Sequence, residues 1–335
     1  MIKIKLSTDC PDWPFLRQTP RSAGIWGDYQ FFMDQDIAEY DYWVVYGGLL
    51  RPESAVCGKN NTIFIAGEPP SVKRYIPKFL KQFAFVVSCH KDLEHPGAIN
   101  TQIAQPWHVG RKQKNHMNIS FSKDYDELKS MNVFKKSKVL SVISSDKAFT
   151  QGHMKRLAFV RALSDYFGPR IDVFGRGIRE IEDKWDAIAD YKYHIALENS
   201  SYPDYWTEKL ADVYLGGSFP FYYGCPNLEN YFPEGSFARI DIDNVPEAIG
   251  IIEKCIAGQQ YERSIEKIKE ARDLVLNKYN LFPVITELIK RINNKADQRK
   301  EELYLLPESR FVGMTSRLIR YLKHIMGKIT GIIEA

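Results

Sequence analysis

The sequence predicts an α/β protein built as two parallel-sheet domains that face each other across a cleft. Three observations carry this. The chain has 335 residues, and single hydrophobic cores rarely grow much beyond roughly 250 to 300 residues, so two cores are expected. Its first third alternates short apolar runs with turns and one helix-like segment, the pattern of an α/β layer. A second series starts near Lys138 and runs strand, helix, strand, an order that implies parallel strands joined by right-handed crossovers.

In the first series the strand candidates are "IKIKL", "DYWVVYG", "NTIFIAG", "FAFVVS" and "TQIAQPWHVG", with a helix candidate in "SVKRYIPKFLKQ", residues 71–82. A polar, Lys-rich stretch from Arg111 to Lys138 reads as the interdomain connection, with a short helix around "YDELKSM". The second series places strands at 138–145, 170–177 and 193–199 and helices at 151–166 and near 180–190. A helix then begins near Thr207, because Leu210, Val213 and Tyr214 follow at helical spacing, and Gly216 and Gly217 stop it. Strands "SFPFYYG" and "FARIDI" and helices from Pro246 complete it. The expected division is 1–130, 131–300 and a tail, 301–335.

Composition is that of an ordinary soluble globular protein, 44% apolar and 26% charged, which excludes a disordered chain. A net charge of +4, from 46 basic and 42 acidic residues, is too balanced for nucleic acid to be the main partner. Five basic residues and one acidic lie between Arg310 and Ala335, so the excess is in the tail. There Val312, Leu318, Ile319, Leu322, Ile325, Met326, Ile329 and Ile333 share one side of a helical wheel. Such a helix suits an anionic membrane surface, or packing on the protein itself. Cys10, Cys57, Cys89, Cys225 and Cys255 are odd in number and lack C-x-x-C spacing, so reduced thiols and no structural zinc are expected. With no signal-like start and no run of about 18 apolar residues, a cytoplasmic chain is expected, free or peripheral on the membrane's cytoplasmic face.

The informative stretch is "ENSSYPDYWTEKLADVYLGGSFPFYYG", residues 198–224. Lys209 falls in the first turn of its helix, the wrong end for a cation, since unpaired N–H groups and the helix dipole already make that end electropositive. An anion resolves the conflict. Ligands of open parallel sheets bind beyond the carboxyl ends of strands, where this loop lies, and a diphosphate there would satisfy both the N–H groups and the ammonium. Glu198, Asn199, Tyr205 and Glu208 add donors and acceptors suited to ribose and sugar hydroxyls.

The wider segment, "YKYHIALENSSYPDYWTEKLADVYLGGSFPFYYGCPNLENYFPEGSFARIDID", resembles the signature region of glycosyltransferase family 10, the α-1,3/α-1,4-fucosyltransferases, of the bacterial type. That pattern runs Y-K-F-x-L-x-F-E-N-S, then Y-x-T-E-K, P-x-x-x-G and S-F-I-x-x-x-D. "RIDVFGRG" and "MKRLAFVRAL" resemble its flanks. The resemblance implies GT-B architecture, two Rossmann-like domains with the donor held by the C-terminal one, and inverting transfer of fucose from GDP-fucose to a glycan hydroxyl. It implies no cofactor and no obligatory metal. It places Glu198, Asn199, Tyr205, Glu208 and Lys209 at GDP-fucose, Lys209 on the diphosphate, with Arg156 a second phosphate ligand and Lys155 its neighbouring competitor. "IFIAGEPP" resembles the site of the family's proposed base, which makes Glu68 the candidate catalytic residue, stiffened by Pro69 and Pro70.

The implied acceptor is an N-acetyllactosamine or lipopolysaccharide-type glycan, with Trp13, Trp26, Trp43 or Trp107 available to stack on sugar faces. Another nucleotide-activated deoxysugar keeps the same fold, and a non-catalytic membrane-surface module is the reading of another class. Asp241 and Asp243 form a D-x-D of the kind that binds divalent ions elsewhere, but after the donor motif. Cys225 has no paired histidine in the sequence, and His194 reads as a satisfied core residue.

Overall fold

The structure is a computed structural model that describes residues 1–33, 35–114, 117–131, 135–144, 151–292, 297 and 299–312. The first domain contains β1 (Ile2–Thr8), β2 (Ile25–Trp26), β3 (Tyr29–Phe32), β4 (Tyr42–Tyr46), β5 (Glu53–Gly58), β6 (Thr62–Ile65), α1 (Pro77–Leu80), β7 (Phe85–Ser88) and β8 (Ala98–Asn100). Seven of these strands form a sheet in the order β2-β3-β1-β4-β6-β7-β8, parallel except for the β2–β3 pair. Its central strands, "YWVVY" and "TIFI", are buried throughout, as expected for a parallel sheet covered on both faces.

β9 (Arg111–Lys114), β10 (Met117–Phe121) and α2 (Tyr125–Ser130) make the connection. Helix α2 is the short helix expected at "YDELKSM", started by a capping box between Asp124 and Glu127. The second domain follows: β11 (Lys138–Ile143), α3 (Gln151–Phe167), β12 (Ile171–Phe174), β13 (Tyr191–Leu197), α4 (Glu208–Leu215), β14 (Phe219–Tyr223), β15 (Ala238–Arg239), α5 (Val245–Ala257) and α6 (Gln260–Asn277). Its five strands are all parallel, in the order β12-β11-β13-β14-β15. Two Rossmann-like domains thus face each other, the GT-B arrangement expected.

The chain then returns to the first domain. Helix α7 (Leu281–Ile292) buries Leu281, Phe282, Ile285, Leu288, Ile289 and Ile292 in the core of the first sheet. β16 (Lys300–Leu305) pairs antiparallel with β5. The expected division at residue 300 is therefore corrected: the apolar stripe of α7 matches the first sheet's surface, and residues 281–305 belong to that layer. The proposed amphipathic tail beyond Val312 lies outside the described residues.

Four element expectations also differ. In 71–82 only Pro77–Leu80 is helical, because Ile76 precedes a proline and is held extended at ψ 125°. The helix near 180–190 is a single 3-10 turn, Lys184–Ala187, capped by Asp183. "TQIAQPWHVG" is not a strand; β8 ends just before it, and it forms the crossover. "FARIDI" pairs only at Ala238–Arg239, so Asp241 and Asp243 sit in a turn, and Asp243 is ion-paired to Lys155 at 2.8 Å. Among the described residues no group of three or more His, Cys, Asp or Glu side chains could hold a metal ion, and no helix is long and apolar enough to cross a membrane.

Candidate active site

The cleft opens at the carboxyl ends of β11, β12 and β13, a cavity of about 570 Å³ lined by Arg156, Asn199, Glu208 and Lys209 among others. Its shape depends on two glycines. Gly175, at φ +135°, lets the end of β12 close on β11, where a Cβ would lie 1.7 Å from the Ser144 carbonyl oxygen. Gly224, at φ +155°, does the same beside Glu198, whose Cγ would lie 2.5 Å from an added Cβ.

Helix α4 starts at Thr207, whose hydroxyl caps the Lys209 N–H at 3.3 Å. The carboxylate of Glu198, 1% exposed at the end of β13, accepts the Thr207 N–H at 2.8 Å and lies 2.9 Å from its hydroxyl through both oxygens. Lys209 Nζ stands 3.4 Å from Glu198 Oε2, 3.4 Å from Glu208 Oε1 and 3.2 Å from Thr207 Oγ1. Burial opposes its charge, but the two carboxylates outweigh burial and raise its pKa to about 12. Glu208 is also buried, yet Lys209 above all, with Lys184, holds its carboxyl well below the usual range; burial lowers the pKa of the neighbouring His108 well below that of an ordinary histidine.

Arg156 lies on the buried stripe of α3 with Phe159, Val160, Leu163 and Phe167, and so points into the cleft. Lys155 points outward to Asp243. The Arg156 guanidinium donates to Asn199 Oδ1, and its Nε is buried without a partner. Burial lowers its pKa, against the pull of Glu198 and Glu208.

The loop from 199 to 207 is fixed. Asp204 takes φ 62°, held by Asn227 and Tyr231, both donating to Asp204 Oδ1 at 2.7 Å. Tyr205, 2% exposed, packs on Cys89 and Ile103 of the first domain. Burial, then Glu198, Glu68 and Glu208, lift its pKa, so it stays a neutral phenol.

Across the cleft, Glu68 sits just beyond β6 in a loop held at three points. Tyr75 accepts the Gly67 N–H at 3.0 Å, Gln105 donates to the Gly67 carbonyl, and His90 Nε2 donates to the Glu68 carbonyl at 2.8 Å. Ser71 and Ser200 hydroxyls meet at 2.6 Å, joining this loop to the donor loop. Burial raises the Glu68 pKa above the ordinary carboxylate value, partly offset by Lys209.

Of the seven residues singled out from the sequence, Arg156, Asn199, Glu208 and Lys209 line the cavity. Glu198 supports them from beneath, Tyr205 fills the interdomain seam, and Glu68 stands on the opposite loop. Sequence reasoning missed His108, Lys184 and Asp212, which also line it. Asp212 was findable, being four residues after Glu208 on one helix face; Lys184 and His108 arrive from distant segments with no local signal. His194 is buried, as expected, its Nδ1 2.8 Å from Ser141 Oγ, and it also lines the cleft. Trp43 and Trp107 are fully buried, and Trp26 packs on Tyr125, whereas Trp13 lies beside the cleft, 4.7 Å from the His108 ring and under the Arg111 guanidinium. The thiol of Cys225 is buried and donates to Asn227, with its pKa raised to about 11. All five cysteines are free thiols.

Residues 133–254 match the family described as Glycosyltransferase family 10 (fucosyltransferase) C-term. A stretch of 101 residues is 38% identical to Alpha-(1,3)-fucosyltransferase 4 of Bos taurus, spanning 28% of this chain and 24% of that protein. Alpha-(1,3)-fucosyltransferase FucT of Helicobacter pylori is 33% identical over 73 residues, 22% of this chain and 15% of that protein. The chain thus spans a quarter or less of the length of these curated relatives. A crystal structure of an alpha1,3-fucosyltransferase covers 89% of this chain and 91% of its own, with a TM-score of 0.50 and 16% identity, a likeness of fold.

Proposed function

We propose that this chain, whose residues 133–254 match the C-terminal model of glycosyltransferase family 10, transfers L-fucose from GDP-fucose to a hydroxyl group of a glycan. The observation that carries this reading is the convergence of Lys209, Arg156 and the N-terminus of α4 on one cleft whose facing loop bears Glu68.

The donor diphosphate lies at the N-terminus of α4, between the Lys209 ammonium and the Arg156 guanidinium, both of which line the cleft. Asn199, which accepts from Arg156, and Glu208 meet the ribose or fucose hydroxyls. Glu198 and Tyr205 act behind them, Glu198 by aligning Thr207 and Lys209 and Tyr205 by seating the loop against the first domain.

The acceptor hydroxyl gives its proton to a Glu68 carboxylate oxygen as its own oxygen attacks the anomeric carbon from the face opposite GDP. The glycosidic bond forms as the bond to the diphosphate breaks, in one displacement that inverts the centre. Charge accumulating on the leaving GDP is stabilised by Lys209, Arg156 and the helix N-terminus, which take the part a divalent ion plays in other transferases. Activity in EDTA is therefore expected to persist.

Trp13, beside the cleft on the first domain, is positioned for an acceptor of the N-acetyllactosamine or lipopolysaccharide type. The basic apolar segment from Arg310 onward suits peripheral attachment to the cytoplasmic face of an anionic membrane. Incubating the chain with radiolabelled GDP-fucose and a panel of galactose- and N-acetylglucosamine-containing glycans tests the reading and reports the linkage formed. Fucosylated product is expected; no transfer to any acceptor, or equal transfer from UDP- or dTDP-sugars, contradicts it.

A further inference from the structure

Residues 107–110, in the crossover between the domains, are gripped from both sides. From the first domain comes Arg17, 5% exposed, whose Nη2 donates to the Trp107 carbonyl at 2.5 Å and whose Nη1 donates to the Val109 carbonyl at 2.9 Å and that of Lys123 at 2.5 Å. From the second comes Asp212, 1% exposed, whose Oδ1 accepts the N–H groups of His108 at 2.9 Å and Val109 at 3.1 Å. Val109 is therefore held by its N–H on a carboxylate and by its C=O on a guanidinium. Charge-assisted bonds of this kind are about twice as strong as neutral ones, and the peptide unit joining Trp107 to His108, with its C=O on Arg17 and its N–H on Asp212, is polarised by both charges in the same sense.

Asp212 is also part of the donor helix, one turn after Glu208 and Lys209. Its Oδ2 is buried without a hydrogen bond, 3.7 Å from Lys184 Nζ, which stands 3.4 Å from Glu208 Oε1. The element that presents Lys209 is thus the one that grips the crossover, and Gln105 of the same crossover donates to the carbonyl of Gly67, next to Glu68. A buried carboxylate is costly to keep, and a neutral acceptor would hold the same two amides.

On the basis of the transferase reading above, we propose that Asp212 is a positioning residue for the transfer step. It locks the donor helix to the interdomain crossover, and so brings the fucose anomeric carbon within reach of Glu68 and of an acceptor held on the first domain. Its effect falls on alignment between domains and leaves the nucleotide's own contacts in place. Misplacement by about 1 Å can cost on the order of 10²-fold in rate, which sets the scale.

The test compares the full chain with Asp212→Ala and Asp212→Asn, measuring GDP affinity by calorimetry and kcat and acceptor KM for fucosyl transfer. Asparagine keeps an oxygen that can accept both amides; alanine does not. GDP affinity is expected to stay within about threefold in all three proteins, while kcat falls about 30- to 100-fold in the alanine variant and is largely rescued, to within about fivefold, by asparagine. Should the alanine variant not fold, Arg17→Gln releases the opposite grip and is expected to give the same split between binding and turnover. Unchanged kcat in the alanine variant, or an asparagine variant as impaired as alanine, overturns the proposal. So does loss of GDP affinity in parallel with turnover, which would make Asp212 part of the nucleotide site. If the unaltered chain itself binds no GDP, the transferase reading fails first, and this proposal with it.

Discussion

The ammonium of Lys209 lies 3.4 Å from Oε2 of Glu198, a side chain with no exposed surface, while Lys209 keeps about a quarter of its own. A cation at a helix N-terminus is thus held by a carboxylate beneath it, with its outer side open to the cleft. The pairing makes the arrangement stable without a ligand. With its pKa near 12, Lys209 remains charged across the physiological range and needs no reorganisation when an anion arrives.

Glu68→Gln is expected to lose about 10²- to 10⁴-fold in kcat with little change in GDP affinity, since a placed base contributes that much and touches no phosphate. Steady-state transfer kinetics check it. The pH dependence has a definite sign. Burial raises the Glu68 pKa, and in the proposed mechanism its ionised form is the base, so activity is expected to fall as pH drops through a value above that of an ordinary glutamate. That acidic limb should vanish from the residual activity of the glutamine variant.

Arg156→Lys is expected to weaken GDP binding about tenfold or more, although charge is conserved. In the proposed reading the guanidinium serves Asn199 with one nitrogen and the phosphates with another, and an ammonium cannot do both from the same position on α3. Calorimetric titration with GDP measures it. Lys155→Ala, which removes only an exposed pair with Asp243, is expected to leave affinity unchanged.

Thr207→Ala removes the cap of α4, worth about 1 kcal/mol. It also strips the hydroxyl from a buried carboxylate, at a further cost of about 1–3 kcal/mol. Urea denaturation should show a midpoint well below that of the unaltered chain, largely restored by Thr207→Ser.

Much of this was legible in the sequence because the relevant signals are local. Parallel strands read as unbroken apolar runs, Thr207 and Gly217 bracket α4 by cap chemistry, and the position of Lys209 asks for negative charge, which the fold supplies in part from its own Glu198 and Glu208. Arg156 is named ahead of Lys155 by the resemblance alone; the burial of Arg156 on the stripe of α3 and the pairing of Lys155 with Asp243 are what separate the two physically. The return of α7 was hidden because an amphipathic helix does not state which sheet it covers. His108 and Lys184 were invisible for the same reason: their meeting with Glu208 is made by the fold, across some hundred and some twenty-four residues of chain respectively.

The most direct measurement is calorimetric titration of the intact chain with GDP, alongside Lys209→Ala. Saturable binding that falls about tenfold or more in the variant is the predicted result, because the variant removes a charge-assisted contact to the diphosphate. No uptake of GDP by the unaltered chain, or uptake undiminished in the variant, contradicts a diphosphate site at the start of α4.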